Sequence, residues 1–182
     1  MKRLFVALAL LSLFASSAAP VVTVREYWSR LEKQKSNTIQ TLDLEHDYIA
    51  YSVNAAEAVG EFAVWRRRGL LDLIGDTTRA CGPECDLATL RFLEPRGASF
   101  VDVTARVLPG VTVRAGEPPR FSPALEARFQ ARYRALTGGR GPTGVYVVLP
   151  RRGTTLRVCA GFGECDTELA RFAFDGKGFV LR

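Results

Sequence analysis

Apolar positions follow two different periods along the chain. From Val24, the residues Val24, Tyr27, Trp28 and Leu31 recur at helical spacing, while Arg25, Glu26, Arg30, Glu32 and Lys33 fill the opposite face. Thr23 followed by Glu26 fits a capping box, in which each side chain satisfies the other's exposed backbone amide. The pattern predicts a first helix over residues 24–36, with Trp28 on its apolar stripe. From Thr41 the period drops to two. Residues 41–44 and 48–53 read as paired strands joined at Glu45-His46-Asp47. Alternation continues at 61–66, 70–74, 87–93 and 99–103, where Leu90 and Phe92 take buried positions. It returns at 145–149, 154–158, 168–174 and 179–181, with Ala170, Phe172 and Phe174 facing inward. Before this last group stands a second helix. Ser122 caps it, Pro123 suits its first turn, Leu125, Phe129, Tyr133 and Leu136 form its stripe, and Gly138-Gly139 end it.

The two strand groups share more than periodicity. Arg67-Arg68-Gly69 returns as Arg151-Arg152-Gly153, Glu84-Cys85-Asp86 as Glu164-Cys165-Asp166, and Arg91-Phe92 as Arg171-Phe172. The stretch 97–103 returns as 176–182, and the anchors keep one order. Residues 61–103 and 144–182 therefore read as copies of one segment. The expected fold is α+β: two tandem halves, each a helix plus an antiparallel meander, with the helices packed on one face of antiparallel sheet. The halves would be residues 19–108, carrying an added hairpin, and 122–182, joined by a Pro/Gly-rich linker at 109–121. One continuous sheet is the alternative.

A chain of 182 residues that is 47% hydrophobic can bury one good core, or two small ones sharing an interface. Its start follows the export pattern. Lys2 and Arg3 precede an apolar run at 4–14 that is too short to span a bilayer, and Ser16-Ser17-Ala18 supplies small residues before a cut. Residues 1–18 are thus expected to be a signal peptide, and the mature protein to be secreted or periplasmic without a membrane span. Loss of Lys2 and Arg3 with the leader lowers the net charge from +6 to about +4. Of the 25 basic residues 21 are Arg, and no basic run is interleaved with aromatics, which argues against nucleic acid as a partner.

Four cysteines in an exported chain predict disulfides. Cys81 and Cys85 sit at the hairpin of one copy, Cys159 and Cys165 at the equivalent hairpin of the other. The economical pairing joins each local pair; two other pairings would tie the halves together. The pentapeptide CGPEC resembles the CGPC redox motif of the thioredoxin family with one residue inserted, which implies a thiol-disulfide oxidoreductase as one alternative. That chemistry needs a helix after the first thiol, whereas residues 86–92 alternate as a strand. The C-x₃-C and C-x₅-C spacings also depart from the usual zinc knuckle.

No catalytic constellation stands out. His46 is the single histidine and lies at a turn, the serines sit in no G-x-S-x-G context, and no phosphate-binding Gly-rich loop is present. Glu84, Asp86, Glu164 and Asp166 flank the cysteines, where turn carboxylates are ordinarily solvated. The repeated arginines are the better candidates. Arg66, Arg67 and Arg68 at one turn and Arg151 and Arg152 at the other suit an anionic glycan, a phospholipid head group or an acidic protein surface. The reading is an exported, non-enzymatic binding module with an unidentified envelope or extracellular partner, and without metal or cofactor. The tandem arrangement resembles that of the β-lactamase inhibitor proteins, which implies, as a further alternative, a secreted inhibitor of an extracytoplasmic enzyme.

Overall fold

A computed structural model describes residues 21–182 except 32, 54–57, 115, 140, 143 and 163. The expected leader at 1–18 and most of the connection at 55–58 lie outside the described residues.

The α+β expectation is corrected by the structure. Antiparallel strand accounts for 46% of it and helix, in three short pieces, for 18%. The chain instead builds a six-stranded antiparallel meander from β1 (Asn37–Asp43), β2 (Tyr48–Val53), β3 (Ala58–Trp65), β4 (Leu73–Cys81), β5 (Cys85–Arg96) and β6 (Ser99–Asp102), in that spatial order. After a short helix, α2 (Thr104–Val107), a two-residue ribbon pairs β7 (Val111–Thr112) with β8 (Arg120–Phe121). A second meander of four strands follows: β9 (Tyr146–Val148), β10 (Thr155–Ala160), β11 (Thr167–Phe174) and β12 (Phe179–Leu181).

The two longer helices work in different places. α1 (Val24–Arg30) keeps the Thr23–Glu26 capping box and lays Val24, Tyr27 and Trp28 across one face of the large sheet. There Trp28 meets Tyr51 and Phe62 edge-on at ring-centroid distances of 4.6 and 5.6 Å. Such pairs add about 1 kcal/mol each beyond the area they bury. Gly60 belongs to the same arrangement. It pairs with Tyr51 across β2 and β3, and a Cβ there would overlap the Tyr51 ring. α3 (Pro123–Thr137), capped by Ser122 and closed by Gly138 in the left-handed region at φ 69°, sets Leu125 and Phe129 into the second core and rests on β11.

α1 also ends earlier than its pattern predicts. A 3₁₀ turn at Lys33–Lys35 replaces the last turns, and Asn37 Nδ2 donates to the Lys33 carbonyl at 2.6 Å. The Lys33 ammonium reaches inward to Asp76, 2.8 Å away and fully buried. Asp76 also accepts from the Tyr51 hydroxyl at 2.7 Å and from Arg91 Nε at 2.9 Å. This buried charge is paired on several sides, the condition under which its desolvation is tolerated. It ties the α1 turn to the centre of the sheet.

The opposite face of the large sheet meets the small one. β9 is the strand through which the small sheet reaches β4 and β5. The Leu87 amide donates to the Val145 carbonyl at 3.1 Å, and the Cys85 amide to Gly161 at 3.2 Å. On one side of this junction Trp65, Phe92, Phe174 and Phe179 cluster, with centroid separations from 4.9 Å. The other side is open.

Both disulfides close their own hairpins, Cys81 with Cys85 and Cys159 with Cys165, and no free cysteine remains. Cys81 ends β4 and Cys85 opens β5, so the segment after CGPEC is strand, not the helix of the redox motif it resembles. Among the described residues no helix is long and apolar enough to cross a membrane.

The first arginine turn contributes to stability. Arg67 is buried, with Nη2 2.6 Å from Glu94 Oε1, and Arg106 reaches the same oxygen at 2.6 Å. Burial raises the Glu94 pKa, but hydrogen bonds from Arg106 and Arg67 outweigh it and hold the carboxyl below its ordinary value. Glu94→Gln leaves Arg67 buried without its counter-charge. The expected cost is about 3 kcal/mol, a fall of about 10 °C in Tm for a chain of this size. The deficit is full above the ordinary carboxylate pKa and closes as pH falls through the depressed one, because wild-type Glu94 then loses its charge as well. Arg68→Ala, on an exposed side chain, changes stability by less than about 0.5 kcal/mol. Thermal unfolding from pH 3 to pH 7 measures both.

Candidate ligand-binding site

The small sheet covers only part of the large one. Hairpin β1–β2 extends the large sheet beyond the β9 junction, and the inside corner between the two sheets is a trough of about 870 Å³. Its floor is the large sheet: Tyr48 and Ala50 of β2, Val59 and Glu61 of β3, and Arg79 of β4. These residues share one face through the pairs Ala50↔Glu61 and Val59↔Arg79. Its wall is the small sheet, where Val148, Arg157 and Arg171 stand side by side across β9, β10 and β11. The 150–152 turn, Glu164, Arg182 and the polar side chains of Gln40, Thr41 and Thr155 add to the lining.

Six arginines line this trough, Arg79, Arg151, Arg152, Arg157, Arg171 and Arg182, against two carboxylates, Glu61 and Glu164. Part of that charge is balanced locally. Arg151 Nε lies 2.8 Å from Asp43, and Arg171 Nε 2.6 Å from Glu168. The hydrogen bond from Arg151, followed by that from His46, holds the Asp43 carboxyl at about 2. Among the described residues, no ion pair reaches the side chains of Arg152, Arg157 or Arg182. The trough therefore keeps a positive potential in a concave, low-dielectric corner, where field lines concentrate.

The floor carries a buried ion pair. Glu61 is 6% exposed; its Oε2 accepts from the Leu149 amide at 2.6 Å, and its Oε1 lies 3.3 Å from Arg79 Nη1. The Arg79 guanidinium stacks over the Tyr146 ring, 5.2 Å from its centroid. Burial raises the Glu61 pKa, against the opposing pull of Arg79 and the Leu149 amide. Burial also pushes the Tyr48 phenol upward, with Glu61 adding to the effect.

The structure separates the arginines that look equivalent in sequence. Arg66 bridges Asp47 and Asp72, Arg67 is buried on Glu94, and Arg68 is exposed at the turn. None of the three lines the trough, whereas Arg151 and Arg152 do. His46 is engaged with Asp43, its Nδ1 2.9 Å from Oδ1. Glu84 accepts from the Gly144 amide at 3.1 Å, tying the β4–β5 hairpin to the segment before β9, and Asp166 accepts from Phe162 at 2.9 Å within its own turn. Asp86 is exposed, and Glu164 stands in the trough lining. Among the described residues no three His, Cys, Asp or Glu side chains stand close enough together to hold a metal ion.

Sequence reasoning missed Glu61, Arg79, Arg157, Arg171 and Arg182. A signal for Arg157 and Arg171 was present, since each is the polar member of an alternating strand beside buried neighbours. What alternation does not provide is the pairing Arg157↔Arg171, which the β10–β11 register sets ahead of an irregularity at Val158/Cys159. Comparisons with protein families, with curated proteins and with solved structures return no match to this chain.

The raised pKa of Glu61 fixes the sign of a pH effect. As pH rises above the ordinary carboxylate value the unfolded chain gives up this proton first, so stability falls until the folded-state pKa is passed and then levels. Glu61→Gln removes that decline. Urea unfolding between pH 4 and pH 8 shows a flatter stability profile for the variant, and parallel profiles for the two proteins would contradict the assignment.

Proposed function

We propose that the protein is an exported, non-catalytic binding module whose trough receives an anionic ligand. The observation that carries this reading is the lining itself: six arginines against two carboxylates, in one concave corner. Guanidinium groups present planar forks that match carboxylate, sulfate or phosphate oxygens, and they are more weakly hydrated than ammonium groups. Among the described residues Arg152, Arg157 and Arg182 make no ion pair of their own, and of these Arg157 acts through its charge on the buried Glu61. Export is supported by the charged start, the short apolar run and the small residues of the first 18 positions, together with two disulfides of the kind oxidising compartments preserve.

The reading is tested by titrating ¹⁵N-labelled protein with sodium pyrophosphate and with polyglutamate while following the arginine Nε–H resonances. Arg79, Arg157 and Arg171 are expected to shift, and Arg66, Arg67 and Arg68 to stay still. Arg157→Ala combined with Arg171→Ala lowers affinity at least tenfold, equivalent to about 1.4 kcal/mol. Even shifts over all arginines, or none in the trough, would refute the proposal.

A further inference from the structure

We infer that the trough's ligand is a linear acidic polysaccharide, a chain of sugars bearing repeated carboxylate or sulfate groups. The inference rests on the anion-binding reading above and specifies its ligand. It starts from strand register. Arg157 stands directly opposite Arg171 across β10 and β11, and the Arg182 amide donates to the Arg171 carbonyl at 2.9 Å. Three arginines thus occupy one row across three neighbouring strands. Adjacent strands lie about 4.8 Å apart, so the row spans about 10 Å.

Like charges set directly opposite across strands repel. Among the described residues Arg171 is the one member of the row with an ion pair, to Glu168 at the surface, and Arg157 acts on the buried Glu61 through charge alone. A single phosphate is too small to serve a row of this length. A chain with anions at intervals serves all three arginines at once, and each one engaged reinforces the others through effective concentration.

The rest of the lining favours a sugar chain over other polyanions. A ligand that is charged along its whole surface, such as polyphosphate, meets Glu164 as a like charge. A sugar chain brings hydroxyls that donate to the exposed Glu164 carboxylate and that pair with Gln40, Thr41 and Thr155. Nucleic acid needs exposed rings for its bases, and the aromatic residue in the lining, Tyr48, is 7% exposed. A bilayer surface is flat, whereas the arginine row stands on the wall of a corner.

Affinity is measured by calorimetry for galacturonate oligomers of one to eight units and for heparin fragments of matched length, which separate carboxylate from sulfate as the recognised anion. The same measurement is made with carboxyl-reduced oligomers, polyphosphate, single-stranded DNA and phosphatidylglycerol vesicles. Affinity for at least one acidic sugar series is expected to rise at least tenfold from monomer to tetramer and then to level, and the carboxyl-reduced chains are expected to lose it. Arg157→Gln and Arg182→Ala each reduce tetramer affinity at least fivefold and flatten its length dependence, while Arg68→Ala leaves both unchanged. Monomers binding as tightly as tetramers would overturn the inference. If polyphosphate, DNA or vesicles occupy the trough and acidic sugars do not, this inference fails while the anion-binding reading stands. If no anion of any class binds there, both fail.

Discussion

A strand laid across the face of another sheet has to find partners for its own amides and carbonyls, and that constraint shapes this molecule. β9 and its flanks meet the large sheet with polar backbone, so the receiving face cannot be wholly apolar. Leu87 donates to Val145, Thr77 Oγ1 lies 3.5 Å from the Val147 carbonyl, and the Glu61 carboxylate accepts from Leu149. The carboxylate then needs a cation, which Arg79 provides. Glu61 and Arg79 therefore belong both to the seat of the small sheet and to the floor of the trough. Joining the sheets at a corner and charging that corner are one solution to one problem.

The local features of the chain were legible from sequence because their causes are local. The capping box at Thr23, the Ser122 cap, the hairpin cysteines and the last strand at Phe179 all depend on residues a few positions apart. β4 shows where such legibility ends. Its expected span, 70–74, was drawn in by Leu70 and Leu71, which turn out to be 53% and 39% exposed. The true strand runs through Asp76, Thr77, Thr78 and Arg79, a stretch that looks like a polar turn and is buried throughout. Its partners, Lys33, Tyr51, Arg91, Thr89, Glu61 and Val147, come from up to 70 positions away, and no periodicity announces them. The fold class failed for a related reason. Helical periodicity reveals that a helix exists, not whether it forms a layer, and α1 is seven residues long.

The two arginine turns show how little a shared sequence signature fixes. Arg66 and Arg67 lie where Asp47, Asp72 and Glu94 converge, so their charge is spent inside the fold. Arg151 and Arg152 lie beside hairpin β1–β2, where among the described residues Asp43 is the carboxylate that answers them, through Arg151. What differs is the neighbourhood, and that neighbourhood exists because the large sheet carries one more hairpin than the small one.

The disulfides each span a single tight hairpin, four and six positions apart, and neither crosses the corner between the sheets. They do little to hold the architecture together, yet they change what a protease can achieve. Gly82, Pro83 and Phe162 are exposed at the hairpin tips, where cleavage is easiest. A cut at either tip severs the backbone inside a covalent ring, so the fragments stay attached and the strands on both sides keep their pairing. Damage of this kind leaves the strand pairing on both sides in place, and the molecule separates into pieces only under reducing conditions.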